Sequence, residues 1–169
     1  MAAGPKKRKD REKPMMIRKA DEKDIDKILD LLSQVLEVHA IIRPDLFVSG
    51  TRKYNEKDLR EILGNELRPI FVAEIDGEVA GYVFCIIEET THSNNYRDTR
   101  TLYIDDICVD EKFRRKHVGR ELMDFVMKWA RDMGCYTVTL NVWEGNDRAM
   151  AFYRSLGFEP RKTIMERIV

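Results

Sequence analysis

Two stretches of the sequence carry residues whose types and spacing invite chemistry. Residues 109–123 read VDEKFRRKHVGRELM, with Arg114, Arg115 and Lys116 crowded where a strand ends and a helix begins. A helix N-terminus exposes unpaired N–H groups and about half a positive charge, which favours an anion. Three cations, and the missing side chain of Gly119, make that point a plausible pyrophosphate cradle. Just upstream, Asp105 and Asp106 interrupt the apolar run YIDDICV. A buried carboxylate is costly unless it is paired. Successive strand residues point to opposite faces, so at least one of the two is expected to line a cavity.

The elements that must position these groups follow from periodicity. MMIRKA (15–20) is a short first strand, and Asp21 with Asp24 resembles a helix start. Ile25, Ile28, Leu29, Leu32, Val35 and Leu36 recur at helical spacing up to the region of Pro44. Asn55 caps a second helix, EKDLREIL, that Gly64 stops. PIFVAEIDGEVAGYVFCII places two β-rich runs around Asp76–Gly77, a tight hairpin. A polar loop (89–99) leads to the strand 100–109, and a helix with an apolar stripe starts at Val118. TVTLNVW (137–143) alternates as a strand, Asn146 caps DRAMAFYRSL, and FEPRKTIMERIV supplies a last strand. The order β-α-α-β-β-β-α-β-α-β predicts a mixed α/β, three-layer fold with helices on a mostly antiparallel sheet.

Composition bounds the possibilities. The 169 residues suit one domain over 15–169. No apolar run reaches the ~18 residues of a membrane helix, and no signal-peptide segment is visible. Cys85, Cys108 and Cys135 are scattered and odd in number, as expected of reduced thiols in a cytoplasmic protein. His39, His92 and His117 lie far apart, without the spacing of a metal site, so no metal is expected. Residues 1–14 hold six of the 30 Lys/Arg and two of the 30 Asp/Glu. They read as a disordered basic leader or an expression-derived tail. Their PKKRK resembles a nuclear-localisation or nucleic-acid patch. The acidic remainder of the chain argues against nucleic acid as the main partner.

The basic loop does not stand alone. Arg114-Arg115-Lys116-His117-Val118-Gly119 resembles the Gln/Arg-x-x-Gly-x-Gly/Ala loop of the GNAT superfamily of N-acetyltransferases. Some distance on, the stretch from Asn146 through Ala149 and Tyr153 to Gly157-Phe158 resembles that family's Asn-x-x-Ala-x-x-x-Tyr-x-x-x-Gly-Phe pattern. His117 departs from the usual glycine. The expectation is that its backbone is helical enough to tolerate a side chain, its ring an exposed spectator.

The resemblance implies a GNAT-like fold with splayed fourth and fifth strands. It also implies acetyl-CoA as co-substrate and direct acetyl transfer to a primary amine of a small molecule or peptide. The pantetheine arm would pair with the backbone of Ile107, Cys108 and Val109. Arg114, Arg115, Lys116, His117, Val118, Gly119 and Arg120 would take the pyrophosphate. Asn146 and Tyr153 would flank the arm, Tyr153 as general acid toward the sulfur. The phenol and thiol pKa values, ~10 and ~8.5, agree with that direction. LYIDDICV is similar to a strand of the diamine acetyltransferases whose first acidic residue is the proposed base, which makes Asp105 the expected base and Asp106 its understudy near the acceptor. Asn141 would orient an amide or water in the splay, and His39 and Arg43 are acceptor-side candidates. A non-catalytic acyl-CoA-binding module is the alternative. A homodimer is compatible with the final strand and the 89–99 loop, and the acceptor is unidentified.

Overall fold

The computed structural model describes residues 14–169, so nearly all of the basic leader lies outside the described residues. β1 (Met16–Lys19) leads through a 3-10 turn at Glu22–Asp24 into α1 (Ile25–Ile42). α2 (Glu56–Leu63), β2 (Ile70–Ile75), β3 (Glu78–Thr90) and β4 (Thr99–Val109) follow. A second 3-10 turn at Glu111–Phe113 precedes α3 (Val118–Asp132), β5 (Thr137–Leu140) and α4 (Asp147–Ser155).

Local chemistry sets the punctuation. Asp21 and Asp24 form a reciprocal capping box, and so do Asn55 and Asp58 at the start of α2. Asp76 (φ 57°) and Gly77 (φ 80°) are both left-handed, as the tightest hairpin turns demand. The five strands lie in sequence order, β1 to β4 antiparallel and β4 to β5 parallel. One face packs on α3, with Val118, Leu122, Met123 and Val126 buried against Val83, Cys85, Leu102 and Ile104. The other packs on α1 and α2, with Ile28, Leu31, Leu32 and Leu59 against Val72, Tyr82 and Phe84. This is the expected mixed α/β three-layer arrangement. At Gly81 a Cβ would stand 2.7 Å from the carbonyl oxygen of Cys108, so only glycine lets β3 pass β4 there.

Three expectations are corrected. The strand foreseen over 137–143 stops at Leu140, because Asn141 turns to the Tyr103 hydroxyl (3.1 Å) and Trp143 packs edge-on against Phe47. The segment after Phe158 forms no strand. Its residues are exposed, its apolar side chains find no face to cover, and Glu166 pairs with Arg43 instead. Part of the foreseen polar loop is sheet, since Glu89 pairs with Arg100 and Thr90 with Thr99.

Candidate active site

The site is built around a register fault in β4. Pairing with β3 runs Phe84 to Asp106 and Cys85 to Ile104, leaving Asp105 as the extra residue of a β-bulge. The bulge shifts the alternation of the strand. Leu102 and Ile104 face α3, while Cys108 faces α1 and α2. Both aspartates therefore turn to the α1/α2 side: Asp105 meets Tyr54, which packs in that layer, and Asp106 meets Tyr82 there. The expectation that the two carboxylates point to opposite faces is overturned by this one extra residue.

Their environments differ. Asp105 is nearly covered and fully engaged. It accepts from Lys53 Nζ (2.7 Å) and from the Tyr54 hydroxyl (2.6 Å), while Lys53 also reaches the Asp105 carbonyl at 3.2 Å. Tyr54 stacks on Phe84 and accepts from Arg68 (3.2 Å), so the α1–α2 connection is clamped onto β4. Asp106 accepts only from Tyr82, at 3.2 Å, among the described side chains. Burial pushes its carboxyl up to about 6; Lys53 and the Tyr82 bond oppose that rise and Asp105 adds to it. Two adjacent carboxylates thus have different surroundings: Asp105 is paired with a lysine, while Asp106 is poised to take a proton near neutral pH.

Beyond the bulge, β4 outruns its neighbour. Pairing with β5 covers Thr101 to Ile104 and ends as β5 does. The N–H of Asp110 bonds to Ala80 on the β3 side (2.9 Å), so alternation turns the backbone of Val109 and Ile107 toward the side that β5 has left. Cys108 directs its backbone to β3, and its thiol is buried and held up at about 12, by burial first and then by Asp106.

The cradle follows at once. Asp110, buried, pairs with Lys27 of α1 and accepts from the Lys112 N–H (3.0 Å), which anchors the turn after β4. Arg115 (φ 63°) and His117 (φ 61°) are both left-handed, and His117 is the N-cap of α3 without a side-chain capping bond. The expectation of a helical His117 is therefore corrected: it takes the conformation that glycine favours, at a cost of roughly 1–2 kcal/mol. The first bond into the helix runs from Glu121 N–H to the His117 carbonyl (3.0 Å), so Val118, Gly119 and Arg120 present N–H groups without helical acceptors. Arg115, Lys116, His117 and Arg120 are exposed around them, and Arg114 leans on Glu111 at 3.3 Å. Gly119 has a further reason to be glycine. A Cβ there would meet Phe152 of α4 at 3.3 Å, so the residue also lets α4 close on α3.

α4 brings Tyr153 to the core edge. Asn146 caps it through the Ala149 N–H (3.2 Å), and Tyr153 packs between Phe152 and Phe158. Its hydroxyl has no hydrogen-bond partner among the described residues. Burial, with Asp106 acting the same way, raises its pKa, so the phenol stays protonated. On the acceptor side, Asn141 reaches only Tyr103. His39 lies 5.2 Å from the Phe47 ring, and burial and then Lys53 lower its pKa. Arg43 is bidentate to both Asp45 and Glu166, and is thereby committed to surface pairs. A cavity of about 430 Å³ shares Lys53 and Tyr54 with this region, but no residue of β4 lines it. Sequence reasoning missed Lys53, Tyr54 and Tyr82; a loop lysine and tyrosine carry no periodic signal, and Tyr82 reads as an ordinary strand residue.

The residues after β4 and at the start of α4 are thus gathered at one end of a sheet with a gap in it. The Acetyltransferase (GNAT) family model matches residues 35–158. An uncharacterized N-acetyltransferase of Lactobacillus delbrueckii subsp. lactis is 31% identical over 110 residues, 62% of each chain. The thialysine N-epsilon-acetyltransferase of Bos taurus is 31% identical over 151 residues, 85% of this chain and 83% of the other. The crystal structure of a mutant BH1408 protein from Bacillus halodurans superimposes with a TM-score of 0.87 at 28% identity, covering 91% of this chain and 99% of that one. The chain spans 62% and 64% of the length of the first two curated relatives it matches. With that family model matched over most of the chain, the chain belongs to the GNAT acetyltransferase family.

Proposed function

We propose that this protein transfers an acetyl group from acetyl-CoA to a primary amine, by direct attack. The observation that carries the proposal is the open β4 edge, with a carboxyl of pKa about 6 at one end and an uncapped helix N-terminus at the other. The residues present fit the co-substrate. The free N–H groups of Val118, Gly119 and Arg120, with Arg114, Arg115 and Lys116, suit a diphosphate. Ile107 and Val109 offer backbone groups to an extended amide-bearing arm, and an N–H there can polarise a carbonyl as charge grows on it. Acetyl-CoA supplies the activated acyl group when bound.

Asp106 is the proton acceptor in this proposal, in preference to Asp105. An ammonium of pKa near ~10 is no nucleophile, and a base poised near neutrality is the efficient partner for removing its proton. Asp105, held by Lys53 and Tyr54, instead fixes the acceptor-side loop against β4. Tyr153, kept protonated, donates toward the departing sulfur. The paired acidic residues favour a cationic acceptor, an expectation supported by the thialysine-acting relative but not specific to its substrate.

The test is a panel of amines and peptide N-termini, followed by release of free thiol from acetyl-CoA and by calorimetric titration of CoA itself. Turnover with at least one amine, and affinity that falls when Gly119→Glu blocks the cradle, is the expected outcome. Affinity without turnover on any amine would make the chain an acyl-CoA-binding module.

A further inference from the structure

Among the described residues, Lys53 is the flexible side chain that brings a primary amine onto the Asp105 stretch of β4. Its Nζ lies 2.7 Å from Asp105 Oδ1 and 3.2 Å from the Asp105 carbonyl. Ile107 is two residues further along the strand, roughly 7 Å of extended chain. Lys53 also acts on Asp106, where it is the strongest influence opposing burial, and on His39 and Tyr103 around it. Its side chain remains 42% exposed, with Nζ 5.4 Å from the Tyr54 ring centroid, so the amine is held at a solvent-open position. An alkylammonium on a carboxylate, next to a second carboxyl with pKa about 6, is the arrangement a cationic acceptor needs.

We infer that Lys53 is a self-acetylation site: an internal acceptor that occupies the amine position until an external amine displaces it. The inference rests on the transferase reading above. In the step, the Lys53 ammonium first yields a proton to the Asp106 carboxylate, which passes it to solvent. The neutral nitrogen attacks the thioester carbonyl. A C–N bond forms, the C–S bond breaks, the nitrogen's second proton leaves by the same carboxylate, and the Tyr153 hydroxyl protonates the thiolate and is itself reprotonated from solvent. The products are an amide at Lys53, free CoA thiol and one net proton. Acetylation removes the charge that Asp105 pairs with, so the modified loop loses its ionic hold on β4.

The experiment ranks lysines by peptide mass spectrometry on the full chain. With an untemplated reagent, N-hydroxysuccinimidyl acetate, Lys57 (85% exposed) and Lys128 (72% exposed) should label ahead of the less exposed Lys53. With acetyl-CoA and no added amine the order should invert, Lys53 leading by about tenfold or more through proximity alone. The half-time should not change with protein concentration, and a saturating external amine that is turned over should slow it. Tyr153→Phe should erase the inversion while leaving the untemplated pattern intact. Lys53 acetylated no faster than Lys57, in a preparation that acetylates an external amine, overturns the inference and leaves the transferase reading standing. A preparation that neither binds CoA nor acetylates any amine overturns both.

Discussion

The two halves of the site use β4 in opposite ways. Past the bulge, the proposed donor half offers main chain: free N–H groups of α3 and the unpaired edge at Ile107 and Val109. At the bulge, the proposed acceptor half offers side chains: Asp105, Asp106, Lys53, Tyr54 and Tyr82. Backbone chemistry is fixed by where elements start and stop, so it tolerates a left-handed histidine where glycine is usual. Side-chain chemistry depends on which face a residue occupies, and one inserted residue decides that. The donor half should therefore survive many substitutions, while the acceptor half should fail on the change of a single atom.

The contrast can be broken or sharpened in order of expected size. The largest effect is expected for Tyr153→Phe, where loss of one hydroxyl should cost about 10²–10⁴ in turnover. Calorimetry should find CoA affinity nearly unchanged, since the hydroxyl acts in this proposal on the departing sulfur while the ring beside the arm is kept. A comparable loss in affinity would place Tyr153 in binding rather than chemistry.

Asp106→Asn should lower turnover by about 10² and raise stability at the same time. The folded carboxyl titrates above its unfolded value of 3.8, at about 6. Ionisation is therefore harder in the folded state. The penalty is absent below about pH 4, grows as pH rises to about 6 and stays constant above. Removing the charge should gain about 1–3 kcal/mol at neutral pH and nothing at pH 3, as measured by denaturant unfolding. Gly81→Ala, on the strand behind the site, should cost about 1–3 kcal/mol because its Cβ meets the Cys108 carbonyl oxygen, with both halves of the site loosened together.

The smallest effect is expected at the cradle. His117→Gly should relieve left-handed strain and raise the melting temperature by an amount worth about 0.5 kcal/mol, part of the gain returning to the unfolded chain as entropy. CoA affinity should stay within about twofold, because the proposal assigns the diphosphate to the N–H groups rather than to the ring. A large loss of affinity would show that the imidazole, and not the backbone beneath it, is part of the cradle.

What the sequence made legible follows the same division. Capping residues, the Asp76–Gly77 turn and the helical stripes marked the starts of the helices and the hairpin, but the early end of β5 at Leu140, which opens the strand gap, was not among the marked ends. The pair Asp105–Asp106 was visible as an anomaly in an apolar strand, but its geometry was not. Period-2 alternation assumes an unbroken register, and a bulge without glycine leaves no mark in the sequence. Lys53 and Tyr54 reach β4 across about fifty positions of chain, with |i−j| of 52 and 51. Such contacts are decided by tertiary packing of α1 and α2, which local patterns do not encode. The final segment failed for a related reason: Thr163 to Val169 carries strand-forming residues, yet a strand exists only where an edge accepts it.

The central claim is that Asp106 accepts the proton of an attacking amine beside an opened strand edge. The pH dependence of kcat/KM for acetyl transfer to a primary amine, compared between the wild-type chain and Asp106→Asn, tests it most directly. The prediction is an acid limb with an apparent pKa near about 6 in the wild type, absent from the slower variant. The same limb persisting in Asp106→Asn would contradict it.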